Sequence, residues 1–269
     1  MPDLAHLPIG IFDSGVGGLT VARAVMQRLP GERILYFGDT ARVPYGVKSA
    51  DTIRHFAHQI TEYLLEQRVK MLIVACNTMA AVAVDEIQKL SPVPVLNVLT
   101  AGAQYAAQHT HSGRIGIIGT LATINSGAYD QALHTLAPAL AIHGQACPLF
   151  VPLVEEGWLD HPVTRLVAEE YLRPLLAHQI DTLILGCTHY PLLKPLIAQV
   201  VGNDITLVDS AATVADQAAE LLAQNKRLRS ADSHPEHRYC VTDVPQRFQE
   251  VGGRFLGRPL HNVELVALN

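Results

Sequence analysis

Apolar runs of strand length alternate with segments of helical period along almost the whole chain. The pattern predicts strands at Ile9–Phe12, Ile34–Phe37, Met71–Ala75, Val95–Val98, Ile115–Ile118, Leu149–Val151, Thr182–Leu185 and Thr206–Val208. It predicts helices at Leu19–Leu29, Ala50–Gln67, Met79–Leu90, Ala101–Gln108, Ser126–Leu136, Val163–Leu176, Leu192–Val200 and Ala211–Ala223. Continuous apolar strands separated by helices imply an α/β fold with mostly parallel sheets covered on both faces. Two more strand candidates, Tyr239–Val241 and Val263–Val266, close the chain. The stretch Arg227–His237, rich in charge and His, is the least ordered-looking part.

The pattern repeats. Met71-Leu72-Ile73-Val74-Ala75-Cys76-Asn77-Thr78 and Asp181-Thr182-Leu183-Ile184-Leu185-Gly186-Cys187-Thr188-His189 share one plan. In each, an apolar run ends in a small residue, then Cys, then hydroxyl or amide residues, then a helical stretch. Upstream at similar offsets, Ile9-Gly10-Ile11-Phe12-Asp13 resembles Ile115-Gly116-Ile117-Ile118-Gly119. Duplication therefore predicts two similar three-layer α/β domains related by pseudo-symmetry, with a cleft between them. The first takes residues 1–98 plus 209–269 and the second residues 99–208.

Composition narrows the class. The chain has 269 residues, 49% hydrophobic and 17% charged, which suits a compact folded protein of one or two domains. The net charge of −5 gives no electrostatic reason to expect nucleic acid or an anionic membrane as partner. The apolar runs are too short to span a bilayer, and Met1–His6 lacks the features of a signal peptide. A cytoplasmic location is the expectation. The four cysteines, Cys76, Cys147, Cys187 and Cys240, form no Cys-x-x-Cys pair, so no metal site is expected. Cys147 and Cys240 lack a reactive context and read as buried small hydrophobes.

In an open parallel sheet, ligands bind beyond the carboxyl ends of the strands, where both Cys76 and Cys187 fall. A helix N-terminus there would help stabilise a thiolate. Asn77, Thr78 and Thr188 at the same turns could bind a carboxylate. Asp13-Ser14-Gly15-Val16-Gly17-Gly18 follows the first strand, and its glycines permit close backbone approach to a ligand. A tight turn is the plainer reading, and the glycine spacing fits neither nucleotide motif. Asp39–Gly46 is a polar loop whose Pro44-Tyr45-Gly46 could be an ordinary turn. His189 stands two residues from Cys187. Glu155 and Glu156 follow an apolar run read as a strand, and a solvated turn is their alternative. His109 and His111 read as surface residues.

Taken together, Phe12–Leu19, Gly38-Asp39-Thr40 with Pro44-Tyr45-Gly46, Ala75–Thr78, Pro152–Glu155 and Gly186–Leu193 resemble the glutamate racemases of the two-cysteine aspartate/glutamate racemase superfamily. The segments run in family order through most of the chain. The resemblance implies a cofactor-independent isomerase that interconverts L- and D-glutamate and supplies D-glutamate for peptidoglycan and the cell wall. It implies that Cys76 and Cys187 are the acid/base pair, with Asp13 assisting Cys76 and His189 and Glu155 assisting Cys187. It further implies substrate contacts at Asp13, Ser14, Pro44, Tyr45, Gly46, Asn77, Thr78, Thr188 and His189, with Thr120 a further candidate from the same loop plan. The small-molecule substrate is the expected partner, and a homodimer is left open.

The chemical demand agrees with two bases. The α-hydrogen of an amino acid is a very weak acid. None of the five lysines (Lys48, Lys70, Lys89, Lys194, Lys226) has a recognisable Schiff-base context. Positioning and electrostatics must then supply at least ~8 kcal/mol of barrier lowering. General acid–base catalysis of ~10²–10⁴-fold covers part of it. Two alternatives compete: a related racemase for aspartate or hydantoins, and a ligand-binding or thiol-redox protein without turnover.

Overall fold

Two parallel sheets carry the molecule, and their strand orders match. The computed structural model describes residues 4–231 and 235–268. In the first half, β1 (Ile9–Asp13), β2 (Ile34–Gly38), β3 (Met71–Val74) and β4 (Val95–Asn97) alternate with α1 (Leu19–Arg28), α2 (Ala50–Glu66) and α3 (Asn77–Leu90). The helix α4 (Val98–His109) leads into β5 (Arg114–Gly119), α5 (Leu121–Asn125), α6 (Ala128–Leu136) and β6 (Ala141–Ala146). Then follow α7 (Phe150–Glu155), α8 (Pro162–Ala177), β7 (Thr182–Gly186), α9 (Lys194–Val201) and β8 (Thr206–Val208). The chain finishes with α10 (Ser210–Gln224), β9 (Arg238–Val241), α11 (Pro245–Leu256) and β10 (Val263–Leu265).

The larger sheet has the order β10-β9-β2-β1-β3-β4 and the smaller one β6-β5-β7-β8. The segment β2-β1-β3-β4 thus repeats as β6-β5-β7-β8, the symmetry expected from the twin Cys segments. Register aligns the strand ends. Asp13 pairs with Gly38 and Phe12 with Val74, while Gly119 pairs with Gly186. Both cysteine-bearing turns therefore leave the carboxyl edge of their sheets. The central strands β1, β3 and β7 are wholly buried. Ile9, Ile11, Phe12, Ile73, Leu183 and Ile184 have no measurable exposure. Full burial on both faces is why these strands read as unbroken apolar runs. The helices α4 and α10 pack on each other, and α10 also packs on α1.

Several expectations need correction. The run Leu149–Val151 is not a strand, and Glu155 does not follow one. The segment forms α7, with Phe150 and Val154 buried four residues apart. A short run that is apolar throughout carries no readable period, so helix and strand are indistinguishable there. The strand that occupies this place in the repeat is β6, Ala-Ile-His-Gly-Gln-Ala, which gave no signal. It is an edge strand of mixed polarity and largely incomplete burial. The helix expected at Ser126–Leu136 is α6, which starts at Ala128, and the short helix α5 before it gave no signal. Gly127 adopts a φ of 67°, which ends α5 and starts α6. The helix α11 was also missed.

The stretch Arg227–His237 is better anchored than its composition suggests. Lys70 Nζ donates to the Arg227 carbonyl at 2.8 Å, and the Arg229 amide donates to Glu32 Oε1 at 2.9 Å. Lys70 and Glu32 form a buried ion pair at 2.5 Å beneath the first sheet. Residues 232–234 of this stretch lie outside the described residues. Cys147 and Cys240 are fully buried, and His109 and His111 are exposed, as expected. Among the described residues no helix is long and apolar enough to cross a membrane.

Candidate active site

The turns after β1, β3, β5 and β7 converge on one cavity of about 410 Å³ between the two sheets. Ser14, Pro44, Tyr45, Gly46, Asn77, Thr78, Thr120, Thr188 and His189 line it, together with Cys76, Cys187 and Glu155. Asp13 is the exception among the expected contacts. It is fully buried and lies behind Ser14 and Gly15 rather than on the wall. Gly15, Val43, Val47, Leu121, Pro148, Val151 and Pro152 complete the lining. Gly15 belongs to the glycine turn expected to approach a ligand; the others bear no reactive group and were not expected as contacts.

Cys76 is the N-cap of α3, which begins two residues earlier than its apolar period suggests. Its sulfur accepts from the Met79 amide at 3.5 Å and lies 3.7 Å from the Ser14 hydroxyl. These donors favour a negative sulfur. Burial opposes it, and so does the negative Asp13 nearby; together they push the Cys76 thiol up to about 12. Asp13 accepts from the Gly15 amide at 3.1 Å through Oδ2. Its Oδ1 has no hydrogen-bond partner among the described residues. Burial raises the Asp13 carboxyl above its ordinary range, although His189 and the loop amides pull it back.

Cys187 has different surroundings. It opens a turn that leads to a short 3-10 segment, Tyr190–Leu193, rather than directly into a long helix. Its sulfur lies 3.9 Å from His189 Nδ1. On the other side of the ring, His189 Nε2 lies 2.9 Å from Glu155 Oε1. Burial disfavours the imidazolium, but the Cys187 sulfur and the Glu155 carboxylate outweigh it and hold His189 up at about 10. Glu155 itself is raised by burial but lowered further by His189 and by Arg247 and Arg254, so it ends below its ordinary value. Glu156 points elsewhere, 3.5 Å from Arg247 at the surface. The resemblance implied Glu155, and the helical form of α7 turns that residue, not Glu156, toward His189.

The two halves touch closely around the cavity. The Thr78, Thr120 and Thr123 hydroxyls form a triangle with sides of 2.9, 3.0 and 3.2 Å. Thr123 is buried and was not anticipated, though its position three residues after the N-cap Thr120 is a capping spacing. Thr20 Oγ1 donates to the Thr188 carbonyl at 3.2 Å. A Cβ at Gly17 would lie 2.2 Å from Thr188 Oγ1, so this glycine serves the approach of the other half rather than of a ligand. A cluster around the buried Asp39, with Arg42, Tyr45 and Thr242, holds the Pro44–Gly46 loop from behind.

A duplicated parallel α/β fold thus places one thiol from each half in a shared cavity, the arrangement of an α/β enzyme whose site lies between its two halves. The sequence pattern of Asp/Glu/hydantoin racemases matches residues 19–218. A glutamate racemase from Syntrophus aciditrophicus is 64% identical over 261 residues, 97% of each chain. One from Neisseria meningitidis serogroup A is 55% identical over 262 residues, again 97% of each. The crystal structure of glutamate racemase from Francisella tularensis in complex with D-glutamate superposes with a TM-score of 0.93 at 42% identity, covering 98% of this chain and 99% of that one. The chain belongs to the Asp/Glu/hydantoin racemase family.

Proposed function

We propose that this protein interconverts L- and D-glutamate without a cofactor, by a two-base mechanism, and supplies D-glutamate for peptidoglycan. The observation that carries this reading is the pair of thiols in one cavity, each held by its own half of a duplicated fold. A thiolate on one face removes the α-proton, and the thiol on the opposite face gives its proton to the carbanionic carbon. The product is the mirror image, and the protonation states of the two sulfurs have exchanged. The reverse direction runs the same steps with the roles swapped.

The surroundings assign supporting roles. When Cys187 is the thiolate, the His189 imidazolium offsets its charge and Glu155 holds the ring. When Cys76 is the thiolate, the Met79 amide and Ser14 hydroxyl are its donors, and Asp13 acts from behind it. Asn77, Thr78, Thr120 and Thr188 supply polar groups for the substrate carboxylates, with Ser14 and the Pro44–Gly46 loop closing the remaining side. Glutamate is favoured over aspartate or hydantoins by the names of the relatives at 55–64% identity. We assign residues 1–98 with 209–269 to the lobe that presents Cys76 and residues 99–208 to the lobe that presents Cys187.

The test is to incubate the purified protein in deuterium oxide with L- or D-glutamate, run separately, and with aspartate for comparison. The expected result is inversion of either glutamate enantiomer with deuterium at the α-carbon of the product. Inversion of aspartate but not glutamate would overturn the substrate assignment. Inversion without solvent deuterium would overturn the two-base route.

A further inference from the structure

We propose that Tyr129 sets the orientation of the Asn77 amide across the boundary between the halves, so that Asn77 turns its Nδ2 hydrogens, not its carbonyl, toward a carboxylate in the cavity. The proposal rests on the glutamate reading for the identity of that carboxylate. Tyr129 is a positioning residue: it does not line the cavity and acts only through Asn77.

Asn77 is the first residue of α3, beside Cys76, and it lines the cavity while being only 4% exposed. An Asn amide carries an acceptor oxygen and a two-hydrogen donor of nearly the same shape. Packing alone therefore does not decide which end meets the ligand. A hydrogen bond from elsewhere must do so. Tyr129 Oη donates to Asn77 Oδ1 at 2.7 Å. Tyr129 is 2% exposed on α6, in the other half of the molecule. Burial pushes its phenol above the ordinary range, so it remains a neutral donor at any working pH. With Oδ1 occupied by the phenol, Nδ2 is the end of the amide left to meet a ligand. The opposite orientation would set a carbonyl oxygen against a carboxylate. Because the donor comes from the far half, Asn77 is oriented only when the halves are together. Substrate recognition beside Cys76 is thereby coupled to closure of the cavity.

The experiment is a double-mutant cycle between Tyr129→Phe and Asn77→Ala, read as KM and kcat for both glutamate enantiomers. Tyr129→Phe keeps the ring and removes the donor. It is expected to raise both KM values about tenfold, the worth of one misdirected charge-assisted hydrogen bond, with kcat changed less. In the Asn77→Ala background the same change should add nothing. Equal effects of Tyr129→Phe in both backgrounds, or a fall in kcat at unchanged KM, would overturn the proposal. A second measurement needs no turnover. In a proton–nitrogen correlation spectrum of the ligand-free protein, the Asn77 side-chain amide pair is identified by its absence in Asn77→Ala. Tyr129→Phe should shift or broaden that pair, and an unchanged pair would overturn the proposal. A wild-type protein inert toward glutamate would sink the proposed function instead, and the spectrum would still decide the role of Tyr129.

Discussion

The two cysteine turns occupy equivalent places in a duplicated fold yet differ in charge. Cys76 caps a fourteen-residue helix and sits in front of a buried carboxylate. Cys187 enters a short 3-10 turn and faces a histidine that a second carboxylate holds charged. The repeated strand order conserves position, because strand register and sheet closure depend on the apolar core. The electrostatics are free to diverge, because they depend on a few side chains in the turns. Geometry in such a fold is therefore symmetric while the acid/base tuning is not.

The largest expected effect tests the symmetric part. Replacing either Cys76 or Cys187 with Ala should lower kcat by at least ~10²-fold in both directions, measured by circular dichroism of glutamate. Robust activity in the double replacement would end the two-base assignment.

The next tests the asymmetric part. Enantiomers have equal free energy, so a variant must lower kcat/KM equally in both directions, and another readout is needed. His189→Asn removes the positive partner of Cys187 and with it an attraction to Asp13 behind Cys76. It should slow inversion by about tenfold or more, and it should enlarge the α-deuterium isotope effect most with the enantiomer whose proton Cys187 removes. Asp13→Asn should shift the balance differently. Identical isotope effects in the two variants would break the comparison.

The pH dependence follows with a smaller effect. His189 is held charged up to about 10, so kcat/KM should fall as pH rises through that value and the imidazolium is lost. It should fall further toward about 12, where Cys76 gives up its thiol proton. Because one thiolate and one thiol are needed together, kcat/KM should also fall on the acid side. The stability contribution of His189 has the same sign. It is complete below the ordinary value of 6.5 and is lost as pH rises through about 10. A profile that stays flat as pH rises through about 10 would count against this arrangement.

The interface between the halves offers a further test. A Cβ at Gly17 would collide with Thr188 Oγ1 and the His189 ring. Gly17→Ala should therefore cost about 1–3 kcal/mol in thermal unfolding and disturb the Cys187 side first. The smallest effect belongs to Cys240, buried on β9 away from the cavity. Cys240→Ala should cost about 1 kcal/mol of stability and leave inversion unchanged. A loss of activity there would mean that thiols outside the cavity matter.

Much of this molecule could be read locally. The buried strands carry unbroken apolar runs, and the twin segments at Cys76 and Cys187 announced a duplication that the strand orders display. The expected contacts gather in one cavity because each follows a strand at the same sheet edge. Other features had no local signature. The edge strand β6 reads as polar because it is poorly buried, and α7 reads as a strand because it is apolar on every side. Asp13 was expected at the substrate and lies behind the wall, since its side chain folds back onto the Gly15 amide.

Sequence alone determined the fold class, the duplication and the place of the two thiols at strand ends, because periodicity and turn chemistry are properties of adjacent residues; the expected contacts around them came from the family resemblance. Tertiary structure alone decided that Glu155 rather than Glu156 meets His189, that Thr123 completes a hydroxyl triangle, and that Tyr129 reaches Asn77 from 52 positions away. Those contacts join separate elements, the last two across the boundary between the halves, and a hydrogen bond between distant residues leaves no period in the chain.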